Sequence, residues 1–316
     1  MINKFIQLFI ALKNIFYKKD KRIGGKTMGK GKNIIIGIAI LIVIVLIGVV
    51  GFGIYKNFTM EVKNPIATME VEGYGTVKIE LYPDQAPNTV ANFIKLANNG
   101  FYNNLTFHRT IPDFMIQGGD KNGDGTGAPS LKDLKGEGAE DKDYAIEGEF
   151  LANNTENTLK HTKGVISMAR SDYSSLGLTE QGYNSAGSQF FIMTSDNSSL
   201  DGLYAAFGKV IEGYDIIENI SNVEVTYRSS ELGEDEEVPV DEEGNELSSD
   251  MPVNKPVIKS LTVETFGVDY GDPETVETFD YQSYLSQMYG LSGDSTSSTI
   301  TSEEDVTADT SVSENE

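Results

Sequence analysis

Phe107-His108-Arg109-Thr110-Ile111-Pro112-Asp113-Phe114-Met115-Ile116-Gln117-Gly118-Gly119-Asp120 is the stretch on which the fold turns. Two short strand-like runs, residues 105–109 and 114–117, flank the turn-forming pair Pro112-Asp113, and Gly118-Gly119 closes the second run. Runs this short, bounded by Pro, Asp and Gly, read as strands. Side chains alternate along a strand, so Met115 and Gln117 share one face. The same alternation further on puts Gln189 with Phe191, and Phe190 with Ile192 on the opposite face.

Working outward, Thr76-Val77-Lys78-Ile79-Glu80-Leu81-Tyr82 alternates as a half-buried strand does, and Gly73-Tyr74-Gly75 before it makes residues 66–82 a hairpin. Pro87-Asn88-Thr89 opens a helix whose apolar face is Val90, Phe93, Ile94 and Ala97, with Gly100 ending it. Further strand-like runs lie at 164–169, 188–194, 204–210 and 257–263, and a second helix fits 214–220. Many short strands with two helices point to a mainly β chain, a closed barrel with helices at its ends.

Composition narrows the function classes. A net charge of −23 argues against nucleic acid as a partner, because a phosphate backbone needs a basic face. The chain has no cysteine, so thiol nucleophiles, disulfides, Cys-ligated zinc and a lipidated-Cys anchor are excluded. That is compatible with an oxidising compartment without requiring one. Two histidines, His108 and His161, leave no basis for a multi-His metal centre. Residues 120–125 (DKNGDG) match the start of a calcium loop, yet position twelve is Leu131 instead of Glu.

Residues 34–55, IIIGIAILIVIVLIGVVGFGIY, carry no charge. At 1.5 Å per residue such a helix spans a hydrocarbon core of about 30 Å. Lys and Arg crowd the stretch 1–33 before it, so the positive-inside rule predicts a cytoplasmic N-terminus, a single-pass anchor in the cell membrane and an extracytoplasmic remainder. A globular domain over 62–275 follows. Within it, the acidic stretch 229–250 reads as an inserted surface loop, and 281–316 reads as a disordered acidic tail.

The run 107–120 resembles the signature of the cyclophilin family, as does Asn184-Ser185-Ala186-Gly187-Ser188-Gln189-Phe190-Phe191-Ile192. Gly125-Thr126-Gly127, His161-Thr162-Lys163-Gly164-Val165-Ile166-Ser167-Met168-Ala169, and Leu200-Asp201-Gly202 leading to Phe207-Gly208-Lys209-Val210 are similar to further family motifs and stand in the family's order. The resemblance covers roughly residues 64–270 and implies an eight-stranded antiparallel barrel capped by two helices, with a groove on its outer face. It implies peptidyl-prolyl cis-trans isomerase activity, with Arg109 as the catalytic residue. Phe114, Met115, Phe191 and Leu200 match the proline pocket, which requires a bend near Pro112-Asp113 to turn Phe114 onto the groove face. Gln117 and Gln189 match groups beside the substrate backbone, and Ala169 and Arg170 match a stretch that pairs with the substrate chain. Tyr204 stands where many members have His, and His108 falls among the groove residues as a packing or hydrogen-bonding group.

Rotation about an X-Pro amide breaks resonance, at a barrier of about 18–20 kcal/mol. No bond is cut and no proton is transferred, so the reaction calls for no nucleophile, metal or cofactor. It calls for a site that binds the twisted amide more tightly than either planar form. In the twisted state the prolyl nitrogen regains its lone pair, which a permanently charged, rigid guanidinium can address. The expected partners are proline-containing polypeptides folding outside the membrane. The competing reading is a non-catalytic proline-peptide-binding chaperone or scaffold module using the same groove.

Overall fold

In a computed structural model, residues 42, 43, 45–51, 63–233, 236–240, 244 and 246–289 are described. The chain divides into two compact units, Met1–Val62 and Lys63–Glu316. In the first, residues 42, 43 and 45–51 are helical with exposed apolar side chains, among them Ile47 and Val49. The rest of the expected span 34–55, and all of 1–33, lie outside the described residues. No helix among the described residues is long and apolar enough to cross a membrane.

The second unit opens with the hairpin β1 (Ile66–Val71) and β2 (Gly75–Leu81), followed by helix α1 (Pro87–Asn98). Pro87 starts α1, and Ala86 before it offers no capping side chain. The carboxylate of Glu149 takes that role, accepting from the N–H groups of Asn88 at 3.0 Å and Thr89 at 2.7 Å. This satisfies two of the helix's orphan donors with a charge of the favourable sign. Val90, Phe93, Ile94 and Ala97 are all buried, as their spacing predicts.

Next come β3 (Thr106–Ile111), β4 (Met115–Asp120), helix α2 (Leu131–Lys135), β5 (Tyr144–Ala145), β6 (Val165–Met168), helix α3 (Thr179–Tyr183), β7 (Phe190–Met193), β8 (Ala206–Glu212), helix α4 (Tyr214–Ser221), β9 (Ile258–Glu264), β10 (Val276–Glu277) and helix α5 (Tyr281–Met288). Eight strands form one antiparallel sheet in the order β3-β4-β7-β6-β8-β2-β1-β9, and β5 pairs with β10 apart from it. The sheet curls around a core in which Phe93 of α1 meets Tyr102, Phe190 and Phe207 at centroid distances of 5.2, 5.8 and 5.1 Å.

Three expectations need correction. The barrel is a half-barrel whose outer strands are joined at one end only, where Asn104 donates to Ile258, Ile258 to Leu105, and Phe107 to Pro256 at 2.7–2.9 Å. Beyond that point the outer edge of β3 is occupied by the base of the acidic insert instead of β9: Thr110 N–H donates to the Asp250 carbonyl at 2.9 Å. The described α-helices of this unit number five, not two: α2 and α3 are five-residue turns, and α5 is an exposed helix capped by Asp280. Finally, the domain continues past 275 through β10, and residues 281–288, expected to begin a tail, are helical with Asp280 as the capping residue. Residues 290–316 lie outside the described set.

Candidate active site

Register across three strands builds the site. Arg109 of β3 pairs with Gln117 of β4, Gln117 with Phe191 of β7, and Phe191 with Ser167 of β6. Directly paired residues point to the same side of a sheet, so these four form one row on the outer face. The next outward row is Ile111, Met115 and Met193. Between them runs an inward row, Thr110, Ile116, Ile192 and Ile166, of which the three isoleucines belong to the core.

Phe107 and Arg109 stand two apart, yet Phe107 is in the core and Arg109 is on the groove. A bulge reconciles them: Phe107 faces Gly118 and Arg109 faces Gln117, leaving His108 as the extra residue. His108 is accordingly not a groove residue. It is 4% exposed, its ring lies 4.0 Å from where a side chain on Gly125 would begin, and burial pushes its pKa down.

A second apolar cluster, separate from the core, lies on this outer face. Met115, Val165, Phe191, Met193 and Ala206 are its buried members, and Ile111, Phe114, Leu159, Ala169, Leu200 and Tyr204 pack on them. The cluster therefore gathers Phe114, Met115, Ala169, Phe191, Leu200 and Tyr204 from five separate segments of sequence. Phe114 reaches it through the turn at 112–114: Asp113 adopts a left-handed φ of 56°, and Phe114 N–H bonds back to Ile111. Ile111, Val165 and Met193 are further members that the sequence motifs do not single out, although Ile111 and Met193 follow from continuing the alternation two residues beyond Arg109 and Phe191.

Polar groups line the other flank. Gln117 Nε2 donates to Gln189 Oε1 at 3.0 Å, and Gln189 Nε2 donates to the carbonyls of Gly125 and Gly127 at 3.0 and 3.1 Å. The two glutamines thus pin the loop after β4 against the sheet. Within that loop Asp120 accepts from the N–H groups of Asp124 and Gly125, both at 2.7 Å, an arrangement that folds the loop around an anion instead of presenting carboxylates to a cation. A pocket of about 290 Å³ adjoins this flank, bounded by Gln117, Ala169, Arg170, Ser185, Gln189 and Thr278 among others.

Arg170 is held elsewhere. Its guanidinium donates to the carbonyls of Leu203 at 3.0 Å and Ser171 at 2.9 Å and stacks over Tyr204 at 4.5 Å. Tyr204 in turn meets Phe191 edge-on at 5.6 Å. Arg109 differs: it is half-buried on the groove face opposite Gln117, and among the described residues its guanidinium makes no hydrogen bond and no ion pair. A half-buried cation, its donors unengaged among the described residues, therefore stands beside an apolar cluster on one continuous face.

Sequence comparison agrees with this geometry. The profile of the family described as cyclophilin type peptidyl-prolyl cis-trans isomerase/CLD matches residues 66–241, more than half of the chain. Peptidyl-prolyl cis-trans isomerase B of Bacillus subtilis (strain 168) is 41% identical over 155 residues, covering 49% of this chain and 90% of that protein. A peptidyl-prolyl cis-trans isomerase of Synechococcus elongatus is 40% identical over 143 residues, covering 45% of this chain and 78% of that protein. Isomerase-like 1 of Rhizopus delemar is 39% identical over 150 residues, covering 47% and 76%. The row of Arg109, Gln117 and Phe191 and the sheet that carries it are thus those of a chain that belongs to the cyclophilin-type peptidyl-prolyl cis-trans isomerases.

Proposed function

We propose that this isomerase accelerates rotation about X-Pro bonds in polypeptides outside the cytoplasm, with Arg109 donating a hydrogen bond to the prolyl nitrogen as the amide twists. Phe114, Met115, Phe191 and Leu200 hold the proline ring in a dry pocket while the preceding carbonyl swings. Gln117 and Gln189 address the substrate backbone, and the backbone at Ala169 and Arg170 pairs with the substrate chain. Residues 34–55 hold the enzyme to the cell membrane.

The observation that carries the reading is the half-buried Arg109, in line with Gln117 and Phe191 beside the outer apolar cluster, its guanidinium making no hydrogen bond among the described residues. Because the planar amide nitrogen has no free lone pair, a donor aimed at it favours the transition state alone, which raises kcat. An acceleration of about 10⁵ requires roughly 7 kcal/mol. One charge-assisted hydrogen bond supplies about 1.5–3 kcal/mol of this, and the dry pocket supplies the remainder by disfavouring the polar, resonance-stabilised planar amide more than the less polar twisted one.

Isomerisation of a proline-containing peptide tests the assignment. Arg109→Ala should lower kcat/KM by roughly 10- to 100-fold with circular dichroism and thermal midpoint unchanged. A variant as fast as the native enzyme would remove Arg109 from the mechanism. A native enzyme that binds the peptide yet turns it over no faster than buffer would make the groove a binding module.

A further inference from the structure

Thr110 lies between Arg109 and Ile111 on β3, at the outer edge of the sheet. Its backbone N–H and C=O both point away from β4, and both are taken by the stem of the acidic insert. Thr110 N–H donates to the Asp250 carbonyl at 2.9 Å, and Arg228 Nη1 donates to the Thr110 carbonyl. Arg228 Nη2 reaches the Val223 carbonyl at 3.1 Å, so one rigid guanidinium ties β3 to the segment just after α4.

The stem is itself built. Val225 and Pro252 form an antiparallel bridge, Thr226 N–H donates to Met251, and Val253 N–H donates to Glu224. Asp250 sits at a left-handed φ of 57°. Its carboxylate accepts from Ser229 Oγ at 2.7 Å and lies 3.8 Å from Arg228 Nη1, the two side chains being 2% and 18% exposed. A buried ion pair is weak evidence for stability, since apolar replacements often serve equally well. What this pair does grip is the backbone on which Arg109 stands. The bulge at His108 leaves that backbone irregular on one side, and β9 does not reach it on the other.

We propose that Arg228 and Asp250 are positioning residues, through which the insert stem fixes the β3 backbone so that the Arg109 guanidinium meets the prolyl nitrogen. The inference rests on the role given to Arg109 under the proposed function. A small displacement of a group that acts only in the twisted state lowers kcat and leaves ground-state binding nearly unchanged.

The test is a double-mutant cycle in the full chain, with kcat and KM measured on one proline-containing peptide. Arg228→Met should lower kcat about tenfold with KM within about twofold, and should cause no further loss in an Arg109→Ala background. Asp250→Asn, which keeps the main-chain contact to Thr110 and tolerates the left-handed φ, should show a smaller loss that also vanishes in the Arg109→Ala background. It carries the test should Arg228→Met not fold. A native-like kcat in both variants, or equal fold-losses in both backgrounds, would overturn the positioning role. Failure of the Arg109 assignment is distinct, because Arg109→Ala would then be as fast as the native enzyme.

Discussion

Phe191 rests against two rings that differ in kind. Tyr204 meets its edge from the groove side, and His161 lies nearly parallel to it, at 18° with centroids 6.0 Å apart. His161 is locked in place: Nδ1 faces Asp201 at 3.2 Å and Nε2 faces Ser167 Oγ at 3.1 Å. The carboxylate selects the Nδ1–H tautomer, leaving Nε2 to accept from the serine hydroxyl. Burial pushes the His161 pKa down despite Asp201, and burial does the same at His108. Both imidazoles thus stay neutral in the folded chain at pH values where the unfolded chain binds protons, near and below about 6.5. Stability is therefore complete above that value and falls as pH drops below it towards the folded pKa values. The urea midpoint should decrease between pH 7.5 and 5.5, and His161→Gln should flatten that dependence. An equally steep dependence in the variant would mean that His161 does not contribute to it.

The β3–β4 hairpin is the element that aims the site. At its turn, Asp113 takes a left-handed conformation that brings Phe114 onto the groove face. At the far end of β4, Gly119 has a φ of 79°, and a Cβ there would lie 2.6 Å from the Ser188 carbonyl and 2.9 Å from the Phe190 ring. Only glycine tolerates both the backbone conformation and the close approach. Gly119→Ala should destabilise the domain by roughly 2–4 kcal/mol, adding left-handed strain to overpacking, read as a lower urea midpoint. An unchanged midpoint would show that β4 can shift away from Phe190 without penalty. Capping shapes the shorter elements too. Ser130 and Asp133 form a reciprocal capping box at α2, whose Ser-Leu-Lys-Asp spacing is a local signal for a helix start even though α2 itself is too short to show a periodic apolar face.

At the level of the whole molecule, the isomerase unit begins at Lys63, and the proposed anchor precedes it. A chain starting at Lys63 should keep kcat/KM within about twofold of the full chain, since no site residue lies before it. The full chain should sediment with membranes and resist alkaline extraction, while the shortened chain should remain in the supernatant. Full-length protein recovered entirely in the soluble fraction would remove the anchor from the proposal. Turnover lost with residues 1–62 would show that the site needs them.

Part of this molecule is legible in its sequence, because local patterns carry it. Alternation pairs Gln117 with Met115 and Gln189 with Phe191, the 3.6-residue spacing locates α1, and the polarity of 229–250 marks an insert. Arg109 stands out only through the resemblance of its surroundings. Other features depend on contacts between distant segments, which no local pattern encodes. The bulge that sends Phe107 inward and Arg109 outward is a matter of strand register. The docking of Arg228 and Asp250 on Thr110 joins residues more than a hundred positions apart, and their side chains read in sequence as ordinary loop charges. Periodicity reports which face a residue occupies, whereas the neighbour across a strand edge is decided by how the sheet curls and where its closure stops.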